Sequence, residues 1–141
     1  MIYVDTSVLV ALFARELRSH AVARWYAGTK AELVSATWCV TEFASALGIK
    51  QRTGQVDHEQ ALAAWELFGR LVANDLRLLT LGPSDFYSAA MMTLDAASAL
   101  RAGDALHLAC AIRAGVKSIA TLDDVLSRNA QRLKIKPVVF P

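Results

Sequence analysis

A chain of 141 residues has room for one domain, and an apolar fraction of 55% supplies a sizeable core and rules out intrinsic disorder. No apolar run approaches the ~20 residues needed to cross a bilayer, and no basic leading segment of a signal peptide precedes the early run Val8–Ala14, so the expectation is a cytoplasmic protein without membrane contact. The net charge of +2 excludes no class of partner by itself.

Ile2-Tyr3-Val4 is a short run of strand formers, and Asp5-Thr6-Ser7 behind it are all helix-capping types. Apolar residues continue through Phe13, so a buried strand is expected to turn directly into a helix. His20–Ala27 reads as a short helix ended near Gly28, and Leu33-Val34 as a second strand. Thr37–Arg52 carries a helical stripe at 39, 40, 43, 44 and 47, broken by Gly54. Asp57–Ala73 is a further amphipathic helix with Ala61, Leu62, Trp65, Phe68, Leu71 and Val72 inward. Leu76–Leu81 reads as a strand, and Gly82-Pro83-Ser84 opens a helix expected to reach Leu100. Gly103–Ala114 is a helix closed by Gly115, Ser118–Thr121 a strand, Asp123–Leu133 a helix and Val138–Phe140 a last strand. Cys39 and Cys110 lie in helical patterns without ligand spacing and read as small core residues.

Short strands alternating with helices predict one α/β domain, a sandwich around a parallel sheet, in which ligands bind beyond the carboxyl ends of the strands. Four acids stand in otherwise apolar stretches: Asp5, Glu42, Asp104 and Asp123. A carboxylate near a core is costly unless something offsets its charge. Asp5 and Asp123 follow predicted strands, while Glu42 and Asp104 lie near helix beginnings, so all four belong at one edge. Each also has a plain structural reading. Asp5 and Asp123 cap helices, a role worth about 1 kcal/mol, Asp104 answers a helix dipole, and Glu42 is a solvated gap in its stripe. Asp124 shares the options of Asp123. Thr6, Ser7 and Thr121 are neighbouring hydroxyls, either supporting a site or ending strands and capping helices. His107 reads first as a helix histidine satisfied by a neighbour, with phosphate contact or proton transfer as the alternative. Trp25, Trp38 and Trp65 read as core or dimer contacts. Without the four acids, nine acidic residues face fifteen Lys and Arg, a balance suited to a polyanion.

These segments resemble PIN-domain ribonucleases, and among them the VapC-type toxins of bacterial toxin–antitoxin pairs. IYVDTSVLVALF is similar to the family's first motif, TEFASAL to its glutamate segment, and LRAGDALHLACAIRAG with IATLDDVL to its third and fourth. The final helix departs from the family pattern, with Lys134 near the place commonly held by glycine. The resemblance implies a PIN-like three-layer sandwich over residues 1–141 and a metal-dependent endoribonuclease. It implies Asp5, Glu42, Asp104 and Asp123 as the acidic site, with Thr6 and Thr121 in support. It also implies a homodimer, an RNA substrate and a cognate antitoxin that covers the pocket.

Phosphodiester hydrolysis suits such a set. Mg2+ or Mn2+ prefers oxygen ligands, and the lack of a Cys/His cluster argues against zinc. The expectation places the principal metal on Asp5 and Asp104, completed by Asp123, with Glu42 at a second site or as general base. Three other readings remain open. A haloacid-dehalogenase-like phosphatase needs a second acid where Ser7 stands. A metal-dependent adhesion module needs a second serine where Leu9 stands. A PIN fold that only binds RNA or metal would not require all four acids.

Overall fold

The strands are only two to four residues long, and the first two run almost straight into helices, with the single residues between, Asp5 and Thr37, extending the sheet's hydrogen bonding through Asp5 N to Ala120 O and Thr37 N to Leu79 O. The computed structural model describes residues 1–141. Its strands are β1 (Ile2–Val4), β2 (Leu33–Ala36), β3 (Leu76–Leu79), β4 (Ser118–Ala120) and β5 (Lys136–Pro137). Its α-helices are α1 (Thr6–Phe13), α2 (Ser19–Gly28), α3 (Trp38–Arg52), α4 (His58–Asn74), α5 (Pro83–Leu94), α6 (Ala102–Arg113) and α7 (Asp124–Arg132), with a 3-10 turn at Ala96–Ser98. All strand pairs are parallel, in the order β3-β2-β1-β4-β5. The chain therefore winds outward from β1 in one direction and returns to build on its other side. The reversal at β1 makes a crevice beyond the strand ends, the place where such sheets bind ligands.

Period-two alternation divides the core. Val4, Leu33, Leu76 and Ala120 face a cluster with α1, α3 and α4, while Tyr3, Val34, Ala36 and Ile119 face one with α5, α6 and α7. Phe43 of α3 stacks on Phe68 of α4 with ring centroids 4.3 Å apart. That contact packs α3, which carries Glu42, against α4. Cys39 and Cys110 are both free and buried, as expected. No helix is long and apolar enough to cross a membrane.

The boundaries differ from expectation at a few points. The helix beginning at Pro83 ends at Leu94, not Leu100. Asp95 caps the 3-10 turn by accepting from Ala97 N (3.1 Å), Ala99 takes a left-handed φ of 57°, and Ser98 Oγ donates to Met92 O while accepting from Leu100 N. Local side-chain bonds thus outcompete the helix. β3 stops at Leu79, where Thr37 N takes the last carbonyl as α3 begins. β5 lies at Lys136–Pro137, not at Val138–Phe140, because α7 closes tightly and delivers the chain to β4 early. Phe140 packs instead on Trp25 of α2, edge to face at 5.5 Å. Leu62 is 51% exposed, not inward.

The end of α7 explains Lys134. Lys134 N donates to Gln131 O and Ile135 N to Ala130 O, both at 2.9 Å, the paired bonds of a Schellman ending. Ala130 and Ile135 share the same apolar cluster. The motif demands a left-handed residue, and Lys134 supplies it at φ 61°. At the end of α6 the same pair of bonds uses Gly115 at φ 69°, without the Cβ penalty. Lys134→Gly is accordingly expected to stabilise the fold by roughly 0.5–1 kcal/mol, the relief of left-handed strain less the added freedom of the unfolded chain. Denaturant unfolding of both proteins measures it, and a less stable variant would contradict the assignment.

Candidate active site

Asp5 leaves β1 and caps α1, with its Oδ1 accepting from Val8 N at 3.4 Å. It is only 3% exposed, so its charge needs internal donors. Ser7 Oγ donates to Oδ1 at 2.5 Å and Thr121 Oγ1, just after β4, to Oδ2 at 2.8 Å. The donors are held in turn. Ser7 Oγ accepts from Leu122 N (2.9 Å), and Thr121 Oγ1 accepts from Asp123 N (3.0 Å). This network closes the gap between β1 and β4 at the reversal of strand order. Burial nevertheless prevails and raises the Asp5 carboxyl above its usual range.

Glu42 reaches the same edge from the second turn of α3. Thr6 Oγ1 donates to its Oε1 at 2.6 Å, and His107 Nε2 of α6 makes a short contact with the same oxygen. The Trp38 indole N–H, buried without a hydrogen-bond partner, adds to the field that favours the carboxylate. Burial opposes the Glu42 charge, but the His107 bond, with Thr6 and Trp38, outweighs it and holds the carboxyl below its ordinary range. Gly103 makes room for this arrangement. A Cβ there would stand 2.8 Å from Glu42 Oε2 and 3.1 Å from Trp38 Nε1.

Asp104 lies in the first turn of α6 and feels the other acids. Burial first, then the charges of Asp123 and Asp5 and more weakly Glu42, push its carboxyl from 3.8 to about 6. No hydrogen-bond donor offsets it. Asp123 caps α7 by accepting from Leu126 N at 2.7 Å and is part-buried, whereas Asp124 is exposed. Of that doublet, Asp123 is the one whose charge acts on Asp104. The capping and clustering readings are thus both realised, in the same side chains.

Asp5, Glu42, Asp104 and Asp123 therefore converge at the carboxyl edge, with Thr6 and Thr121 as their hydroxyl donors. No three His, Cys, Asp or Glu side chains form a ready-made cation cage. Even so, an all-oxygen donor set with unrelieved mutual repulsion fits a hard divalent cation that retains its own waters. Ser7 takes the supporting place that its position beside Asp5 allowed, as a donor to that carboxylate, and Tyr3 is the residue that the sequence did not connect with the site. His107 is satisfied by neighbours, as the helix reading held, but these lie 104 and 65 residues away in sequence. Beside Glu42 a groove of about 570 Å³ runs between α1 and α3, lined by Val10, Trp38, Ala46, Ile49 and Leu122 among others.

The family model of the PIN domain matches residues 2–131. No curated protein sequence is a significant match. Among solved structures, the Mycobacterium tuberculosis Sarcin-Ricin loop cleaving toxin VapC20 is similar at a TM-score of 0.75 and 18% identity, covering 92% of this chain and 95% of that one. FitAcB from Neisseria gonorrhoeae is similar at 0.68 and 14% identity, covering 99% of this chain and 97% of that one. VapBC2 from Rickettsia felis, bound to a DNA fragment from their promoter, is similar at 0.67 and 12% identity, with 100% of both chains covered. At these identities the likeness is one of fold.

The Asp104 carboxyl binds its proton more tightly in the folded chain than in the unfolded one, so its contribution to stability is largest below pH 4 and is lost as the pH rises through about 6. In chelator at pH 7, Asp104→Asn is expected to be more stable than wild type by about 1–2 kcal/mol, a value reduced for the solvent that reaches this half-buried group. The difference should vanish near pH 4. Thermal unfolding of both proteins at the two pH values checks this, and a variant less stable at pH 7 would contradict the repulsion.

Proposed function

The chain belongs to the PIN-domain family, and from that premise we propose that it is a metal-dependent endoribonuclease, the toxin of a toxin–antitoxin pair. Residues 1–141 act as one PIN domain. The observation that carries the reading is the convergence of Asp5, Glu42, Asp104 and Asp123 on one edge of the sheet, with Asp104 left electrostatically unsatisfied.

Asp5, Asp104 and Asp123 would hold Mg2+ or Mn2+, whose oxygen preference suits them. When bound, such a cation neutralises phosphate charge and makes an attacking water easier to deprotonate. The chain's own residues do the rest. Thr121 and Ser7 hold the Asp5 carboxylate in place, and Thr6 does the same for Glu42. Glu42, held ionised, is available to accept the proton of the attacking water or to complete a second cation site. Attack in line on phosphorus breaks the bond to the 3′ oxygen, which takes up a proton. The products are a 5′-phosphate and a 3′-hydroxyl.

RNA is the substrate, and the surplus of Lys and Arg outside the site favours it. A cognate antitoxin is the protein partner, and the groove beside Glu42 is a suitable seat for its covering segment. Phe86, Tyr87, Met91 and Leu94 project from α5 as exposed apolar residues, which supports a homodimer. The setting is cytoplasmic. A dehalogenase-like phosphatase finds no support, since Ser7 stands at its second acid position and is committed to Asp5 and Leu122 N.

The deciding experiment is to purify the chain free of any partner and incubate it with total RNA plus Mg2+, Mn2+ or chelator, mapping new 5′ ends. Cation-dependent cleavage at discrete sites is expected, with none in chelator. Release of phosphate from a small phosphomonoester with RNA left intact would overturn the reading. Asp5→Asn should reduce cleavage roughly 100-fold or more while melting no lower than wild type in chelator, because the amide keeps the capping oxygen and loses a buried charge. A large fall in melting temperature would make Asp5 a structural cap alone.

A further inference from the structure

Tyr3 and His107 have no part in the reaction described above, yet they are among the least exposed polar side chains, at 0% and 1%. Their positions lie among apolar groups, where Phe and Leu would fill the same space without burying polar atoms. Both are instead bonded into one chain. The Tyr3 hydroxyl accepts from Ala36 N at 3.0 Å, beyond the last backbone pairing of β1 with β2. That hydroxyl also contacts His107 Nδ1, 2.8 Å away. In a neutral imidazole one ring nitrogen donates and the other accepts, so the partners of Nε2 decide the direction of this bond.

The far side of the ring decides it. Nε2 faces Glu42 Oε1 and lies 3.1 Å from Thr6 Oγ1. The carboxylate only accepts, and the Thr6 proton is already donated to that same oxygen at 2.6 Å. Nε2 must therefore be the donor, and in the neutral ring Nδ1 then accepts the Tyr3 proton. The chain runs from a β2 amide through β1 and α6 to a carboxylate on α3, so four elements fix one side chain. Glu42 has a flexible stem and is only part-buried. Without these donors, solvent would compete for its carboxylate.

We propose that Tyr3 and His107 are positioning residues for the reaction, Tyr3 holding His107 in the Nε2–H tautomer so that His107 presents a constant donor to Glu42 and keeps its carboxylate in the site. The inference rests on the assignment of Glu42 to the reaction. Neither residue touches substrate, so the effect falls on turnover and not on RNA binding.

The test uses the full chain, Mg2+ and a synthetic oligoribonucleotide spanning a cut mapped in total RNA. His107→Leu is expected to lower kcat by ~100-fold, and His107→Gln, which restores an N–H donor, to recover at least ~10-fold of it. Tyr3→Phe should lower kcat by roughly 10-fold, with KM within about twofold of wild type in every case. Glu42→Gln is the control. If it keeps wild-type kcat, the role of Glu42 falls and this inference with it. If it is inactive while Tyr3→Phe and His107→Leu turn over normally, the positioning chain alone is wrong. Equal loss in His107→Leu and His107→Gln also overturns it. A measurement without variants guards against misfolding: 15N NMR of the wild-type imidazole should show Nε2 protonated and Nδ1 as acceptor. A proton on Nδ1, alone or together with one on Nε2, would overturn the inference.

Discussion

Negative charge concentrated beyond the end of β1 is the constraint around which the rest of this molecule is arranged. Asp5 is enclosed by apolar residues of α1 and by the neighbouring strand, where an ionised carboxylate is unfavourable unless donors surround it. Ser7 and Thr121 supply them, and each of those hydroxyls is oriented by a backbone amide after β4. The result ties the two central strands together at the point where the order of the sheet reverses. A site requirement and a structural joint share the same atoms.

The four acids divide into two kinds. Asp5 and Glu42 are served by side-chain donors, and in Glu42 these prevail over burial. Asp104 has no hydrogen-bond donor and lies among like charges that, with burial, outweigh the opposing influence of His107, and Asp123 spends one oxygen on the end of α7. The first pair is thereby fixed in place, while the second is left with unmet charge. Such a division suits a centre that must be rigid on one side and receptive to a cation on the other, since a fully satisfied set would have little to gain by binding one.

The polarity of a parallel sheet makes this economical. Strand ends and helix beginnings fall on the same side, so caps, oriented amides and acids accumulate there without any special excursion of the chain. α3 and α6, from opposite layers, meet closely enough at that edge that any side chain at position 103 would displace the Glu42 carboxylate. The contact brings Glu42 and Trp38 from one layer against His107 and Asp104 from the other. Packing of the two layers and assembly of the site are the same event.

The elements and the acidic edge were legible from the amino acids because their causes are local. Capping residues at Asp5, Asp57 and Asp123, apolar periods of two or 3.6, and closing glycines each act within a few residues. Even the meeting of four distant acids followed, since strand ends and helix starts share an edge in any parallel sheet. Tertiary structure alone decided the order of the strands and the early exit of the chain into β5. It also decided the shortened α5, where Ser98 and Asp95 compete for backbone groups that periodicity assigns to a helix. The Tyr3–His107–Glu42 chain was the least legible feature. It joins residues 104 and 65 positions apart, and a tyrosine in a strand or a histidine in a helix looks the same in sequence whether its partner is solvent or the far side of a core.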